Sequence, residues 1–87
     1  MQTLNAHKTG LTLAFILALM HLVWSFLVFI GWAQPLITFS FQMHMIGPAF
    51  TVEPFDSIRA LGLIAIAAGI GYIAGNVIAH IWNKFQN

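Results

Sequence analysis

The sequence predicts an all-α membrane protein, an antiparallel two-helix transmembrane hairpin with a short interfacial segment in its outer loop. Three observations lead there. Of the 87 residues, 60% are hydrophobic and only 6% charged, too little polar surface to keep a domain of this size in water. All five formally charged side chains, Lys8, Glu53, Asp56, Arg59 and Lys84, fall outside two apolar windows, Thr9 to Ala33 and Ala60 to Asn83. Each window holds about the 20 apolar residues that a helix needs to cross a hydrocarbon core of about 30 Å.

Residues 1–9 read as a frayed cytoplasmic tail, and the first transmembrane helix is predicted over 10–33, starting at Thr9 or Gly10 and anchored at its outer end by Trp32. The apolar run is longer than the core of a signal peptide, and Gly31-Trp32-Ala33-Gln34-Pro35 carries no small-x-small cleavage site, so the segment is expected to remain as an anchor. Residues 34–57 form the predicted extracytoplasmic loop. Within it Ile37, Phe39, Phe41, Met43 and Met45 alternate with Thr38, Ser40, Gln42 and His44, which is a strand period. A lone strand at a lipid interface leaves its backbone groups unpaired, so a short interfacial helix is the preferred reading. Gly47-Pro48 and Pro54 interrupt the chain, and Asp56 or Ser57 is placed to cap a second transmembrane helix over 58–83, with an acidic group at its positive end. Residues 84–87 make a second tail. Lys8 and Lys84 against the more acidic loop put both tails in the cytoplasm by the positive-inside tendency.

Several function classes drop out. The chain has no cysteine and a net charge of +1, so thiolate metal sites, disulfides and a basic nucleic-acid footprint are absent. The two carboxylates, Glu53 and Asp56, flank Pro54 near Arg59 and read as a turn and a helix cap, not as an acid/base pair. No phosphate loop, nucleophile elbow or zinc motif is present, and the protein is not expected to be an enzyme.

The second window is patterned for contact. Ala67, Gly71, Gly75 and Ala79 recur every four residues, a small-xxx-small groove that lets another helix backbone approach closely. Beside it Tyr72, Asn76, His80 and Asn83 form a row of hydrogen-bonding side chains, and the first window answers with Ala14, Ala18, His21 and Ser25. With the helix midpoints level, His21 falls beside Tyr72, or beside Asn76 after a slip of one turn. His21 is the residue of first interest, since an ionisable group at mid-membrane depth faces a protein interior as a rule. Its plainest role is a neutral imidazole bonded to Tyr72 or Asn76; the functional alternatives are an axial ligand for haem or a chlorin, or a proton relay. His21 with Trp24 and Trp32 is similar to single-span bacterial antenna polypeptides, although a second span with a glycine groove is foreign to that pattern. Met43, His44 and Met45 offer thioether and imidazole groups that suit Cu(I), but neither a strand nor a helix turns all three to one point. His7 and His80 are expected as solvated or interfacial residues.

The segments His21-Leu22-Val23-Trp24, Ala33-Gln34-Pro35-Leu36, His44, Val52-Glu53-Pro54-Phe55, Gly71-Tyr72-Ile73-Ala74-Gly75 and Ile81-Trp82-Asn83 together resemble a family of small uncharacterised bacterial membrane proteins with two spans. That resemblance implies the two-span fold and an inner-membrane location, and no activity. In the family the segment after Gln-Pro is more helical and often acidic, whereas Thr38 stands at the acidic position here. The expected function is an accessory or structural subunit that packs with copies of itself or with other membrane subunits. A cofactor carrier using His21 or Met43-His44-Met45 and an oligomeric channel are the alternatives.

Overall fold

A computed structural model describes residues 2–47 and 50–86, which form three α-helices: α1 (Ala6–Ile30), α2 (Ala33–Met43) and α3 (Ser57–Lys84). Two of them, α1 and α3, are long and apolar enough to cross a membrane.

α1 starts one turn earlier than predicted. Asn5 is its N-cap, with Oδ1 accepting from the Lys8 backbone N–H at 2.9 Å, so Gly10 lies inside the helix rather than at its start. The helix also stops short of Ala33. Gly31 takes the left-handed conformation at φ 83°, and its N–H and that of Trp32 turn back to Val28 and Leu27, a C-terminal stop that glycine makes without a Cβ clash.

α2 begins two residues later. Pro35 sits in its first turn, where an N–H would have no helical partner. The alternating pattern is therefore helical as far as Met43, because a helix satisfies its own backbone and a lone strand does not. Just beyond, Met45 holds φ 62° while the Ile46 N–H returns to the Phe41 carbonyl at 2.8 Å. α3 starts at Asp56 as expected: its Oδ1 accepts from the Ile58 and Arg59 backbone N–H groups at 2.9 and 3.3 Å.

α1 and α3 pack side by side in opposite directions. A Cβ on Gly75 would stand 2.5 Å from the Thr9 carbonyl oxygen and 2.6 Å from Gly10 Cα; one on Gly71 would stand 2.5 Å from the Leu13 oxygen. The seam is thus backbone against backbone, at a spacing only small residues permit. Residues 2–4 are no frayed tail. They run along the far end of α3, where the Asn83 amide accepts from the Leu4 N–H at 2.7 Å and donates to the Leu4 carbonyl at 2.9 Å, while Trp82 Nε1 donates to the Gln2 carbonyl. At the opposite end the Gln34 amide grips the return segment in the same manner, accepting from Val52 N–H at 2.6 Å and donating to the Phe50 carbonyl at 3.3 Å.

The molecule measures 47 × 32 × 15 Å. The width exceeds the roughly 20 Å of two adjacent helices, so α2 with the 50–56 segment projects to one side. Its buried residues are small: Gly10, Ser25, Ala33, Ala67, Gly71, Gly75 and Ala79. No large side chain among the described residues is fully buried.

Candidate functional site

The packing and polar residues that the sequence singles out fall in three separate places, with His21 apart from all three. The first is the seam. Ala67, Gly71, Gly75 and Ala79 are all buried along α3, and Ala14 and Ala18 are half-buried on the facing side of α1. Gly10 completes that row. Its position at the edge of the apolar window suggests only a helix start, yet Gly10, Ala14 and Ala18 repeat every four residues just as their partners do. A Cβ on Gly10 would meet Asn76 Nδ2 at 2.5 Å and the Tyr72 carbonyl at 2.9 Å.

The second place is the polar end of the seam. Tyr72 does not reach His21. Its hydroxyl lies 2.7 Å from His7 Nδ1 in a hydrogen bond, with the rings edge to face at 5.7 Å. The reason is register: Gly10 opposite Gly75 and Ala14 opposite Gly71 slide the helices by about eight residues, roughly 12 Å, from the level-midpoint pairing. The one-turn slip toward Asn76 fails too, since the slide runs the other way. Asn76 donates to the Tyr72 carbonyl at 2.9 Å in its own helix, and His80 is exposed. His7, expected as a solvated residue, is the true partner in this cluster.

His21 stands apart, half-buried in a groove it shares with Met20, Trp24 and Leu63. Its Nδ1 lies 2.8 Å from the Leu17 carbonyl oxygen, which can only accept, so Nδ1 carries a proton and, in the neutral ring, Nε2 is the nitrogen with the lone pair. That is the tautomer a metal-ligating histidine adopts when a backbone carbonyl orients it.

The third place lies between α1, α3 and the 50–56 segment. Ser25 is 7% exposed there. Around it opens a cleft of about 300 Å³ whose walls include Trp24, Phe50 and Phe55 and whose rim carries Glu53, Asp56 and Arg59. Arg59 bridges both carboxylates, at 2.7 Å to Glu53 and 3.3 Å to Asp56. The Arg59 and Ile58 backbone N–H groups hold the Asp56 carboxyl below its usual value, helped by the Arg59 side chain.

Met43, His44 and Met45 form the exposed end of α2, with Met45 94% exposed and His44 Nδ1 donating to the Ser40 carbonyl at 2.6 Å. Among the described residues no group of three His, Cys, Asp or Glu side chains is close enough to hold a metal ion. No family model, no curated protein and no solved structure matches the chain, so the functional reading rests on geometry.

Proposed function

We propose that the chain is a small integral membrane protein, a transmembrane hairpin of α1 and α3 with α2 in the outer interface, acting as an accessory or structural subunit through helix contacts. One observation carries the reading: the bulky apolar side chains point away from the fold while only small ones face inward. Phe15, Leu19, Leu22, Phe26 and Phe29 make one exposed stripe on α1, and Ile66, Ile70, Ile73, Val77 and Ile81 make another on α3. A soluble core helix would bury such residues; here 6% and 17% of the two most apolar stretches are buried. Apolar surface on that scale calls for lipid or another protein as neighbour. The proposed setting is a bacterial inner membrane with both tails cytoplasmic, which puts Lys8 and Lys84 inside and the Glu53–Arg59 cluster outside.

The test is gentle native purification from the source membrane after an alkaline wash. The expected result is a band retained in the membrane and then migrating with copies or other subunits. A lone monomer in mild detergent, or release by the wash, overturns the reading.

A second reading, a haem or chlorin carrier, draws on His21. The Nε2 of its neutral ring, in a groove beside Met20 and Trp24, is an axial-ligand geometry. The absorption spectrum of the same preparation decides it: a tetrapyrrole band lost in His21→Ala supports the carrier, and a colourless protein removes it.

A further inference from the structure

We propose that the cleft between α1, α3 and the 50–56 segment binds an organic ammonium carried on an apolar body. The floor is Ser25. It is more than nine-tenths buried, it lines the cleft, and its hydroxyl makes no side-chain hydrogen bond among the described residues. A buried hydroxyl ordinarily finds a partner, and a helical hydroxyl can donate to the carbonyl one turn back, as the exposed Thr12 does to Lys8 at 2.9 Å. Ser25 instead faces open space.

The walls and rim specify the occupant. Trp24, Phe50 and Phe55 present three aromatic rings to about 300 Å³, the small end of the range for ligand pockets. On the rim two carboxylates meet a single guanidinium, so Glu53, Asp56 and Arg59 leave one negative charge uncompensated at the mouth. Aromatic side chains beside an excess carboxylate are the surroundings that recognise an alkylammonium. An anion would meet the wrong sign, and a neutral apolar molecule would leave the rim and Ser25 unused.

The space continues behind the floor. A second cleft of about 340 Å³ shares Ser25, Phe55 and Ala60 with the first and, apart from Ser57, is otherwise bordered by apolar side chains such as Leu22, Phe26 and Leu61. An amphiphile can therefore set its cation at the rim and its chain between the helices. Phe29 and Phe55, edge to face at 5.2 Å, close the slot above that chain. Both the headgroup of an aminophospholipid and a free lipophilic ammonium have this chemistry. The second cleft shares Leu22, Phe26 and Phe29 with the exposed stripe of α1, whereas the rim and its aromatic walls lie apart from that stripe.

The experiment is a titration of the full chain in phosphatidylglycerol nanodiscs with benzyltrimethylammonium, followed by amide NMR, with its uncharged isostere neopentylbenzene as control. Saturable shifts centred on Trp24, Ser25, Ala60 and Leu63 are expected, with binding about tenfold weaker for the isostere. Glu53→Gln should weaken binding about threefold, and Ser25→Leu, which fills the floor, should abolish it while the Gly75 and Tyr72 signals stay in place. Shifts spread along both exposed stripes, or equal affinity for the isostere, overturn the proposal. Nanodiscs doped with phosphatidylethanolamine distinguish the source. Competition with the probe assigns the site to a lipid headgroup, and undiminished probe binding assigns it to a free cation.

Discussion

Gly10 and Gly75 meet backbone to backbone, so close that a methyl group on Gly75 would stand 2.6 Å from Gly10 Cα and 2.5 Å from the Thr9 oxygen. Neither obstacle is a flexible side chain that can swing aside. Gly75→Ala should therefore force α1 and α3 apart, and Gly75→Leu should separate them fully, at a cost of at least the 1 to 3 kcal/mol typical of overpacking. Gly62 and Gly69 lie in the same helix with nothing within 4 Å of an added Cβ. Changing either to alanine should be neutral or stabilise α3 by about 0.5 to 1 kcal/mol. Thermal unfolding in detergent, read by circular dichroism, checks both; equal loss at Gly69 and Gly75 would contradict the seam.

The His7–Tyr72 hydrogen bond ties the first turn of α1 to the middle of α3. A double-mutant cycle with His7→Phe and Tyr72→Phe should give a coupling of about 1 kcal/mol. His21→Phe paired with Tyr72→Phe should be additive, since His21 bonds within its own helix. Coupling of the second pair and not the first would restore the level-midpoint register.

Asp56 makes the start of α3 sensitive to acid. Its folded carboxyl titrates below the usual value because backbone N–H groups donate to the ionised form. The sign follows: the cap is fully formed above the unfolded carboxylate pKa of about 3.9, and its contribution is lost as pH falls through the lower folded value. Hydrogen exchange of the Ile58 and Arg59 amides should accelerate relative to Gly71 in that acid window. Asp56→Ala should show the faster exchange already at neutral pH. Unchanged protection in the variant would refute the cap.

Met45 pays for its left-handed φ of 62°. Met45→Gly should firm the end of α2 by about 1 kcal/mol, seen as slower exchange of the Ile46 amide, whose bond to Phe41 closes the turn. Slower exchange together with unchanged copper uptake would mark the Met43–Met45 segment as a helix stop; a drop in copper uptake would instead mark it as a ligand.

The helices were legible because charge placement and capping are local signals: Asp56 and the charge-free windows each act within a turn of where they stand, whereas the Asn5 and Gly31 caps that bound α1 fall outside the predicted 10–33 limits. The glycine groove was legible for the same reason. The register was not. Small residues spaced by four on both helices match row to row at any slide of four or eight residues, so Gly10–Gly75 and Ala18–Gly75 satisfy the pattern equally. What favours one slide over the others lies outside the repeats, in Leu4 against Asn83 and His7 against Tyr72, contacts between residues more than sixty positions apart. The alternation over 37–45 has a strand's period, and it is the count of the backbone's own hydrogen bonds that makes the helix legible there.

With no large side chain fully buried among the described residues, the protein is nearly all boundary. Substitutions outside the narrow seam act on whatever the chain touches, and hardly on a core. A saturation screen of its broad faces would thus map its neighbours directly: folding defects should cluster at Gly10, Gly71 and Gly75, and every other loss of function would trace the outline of a contact.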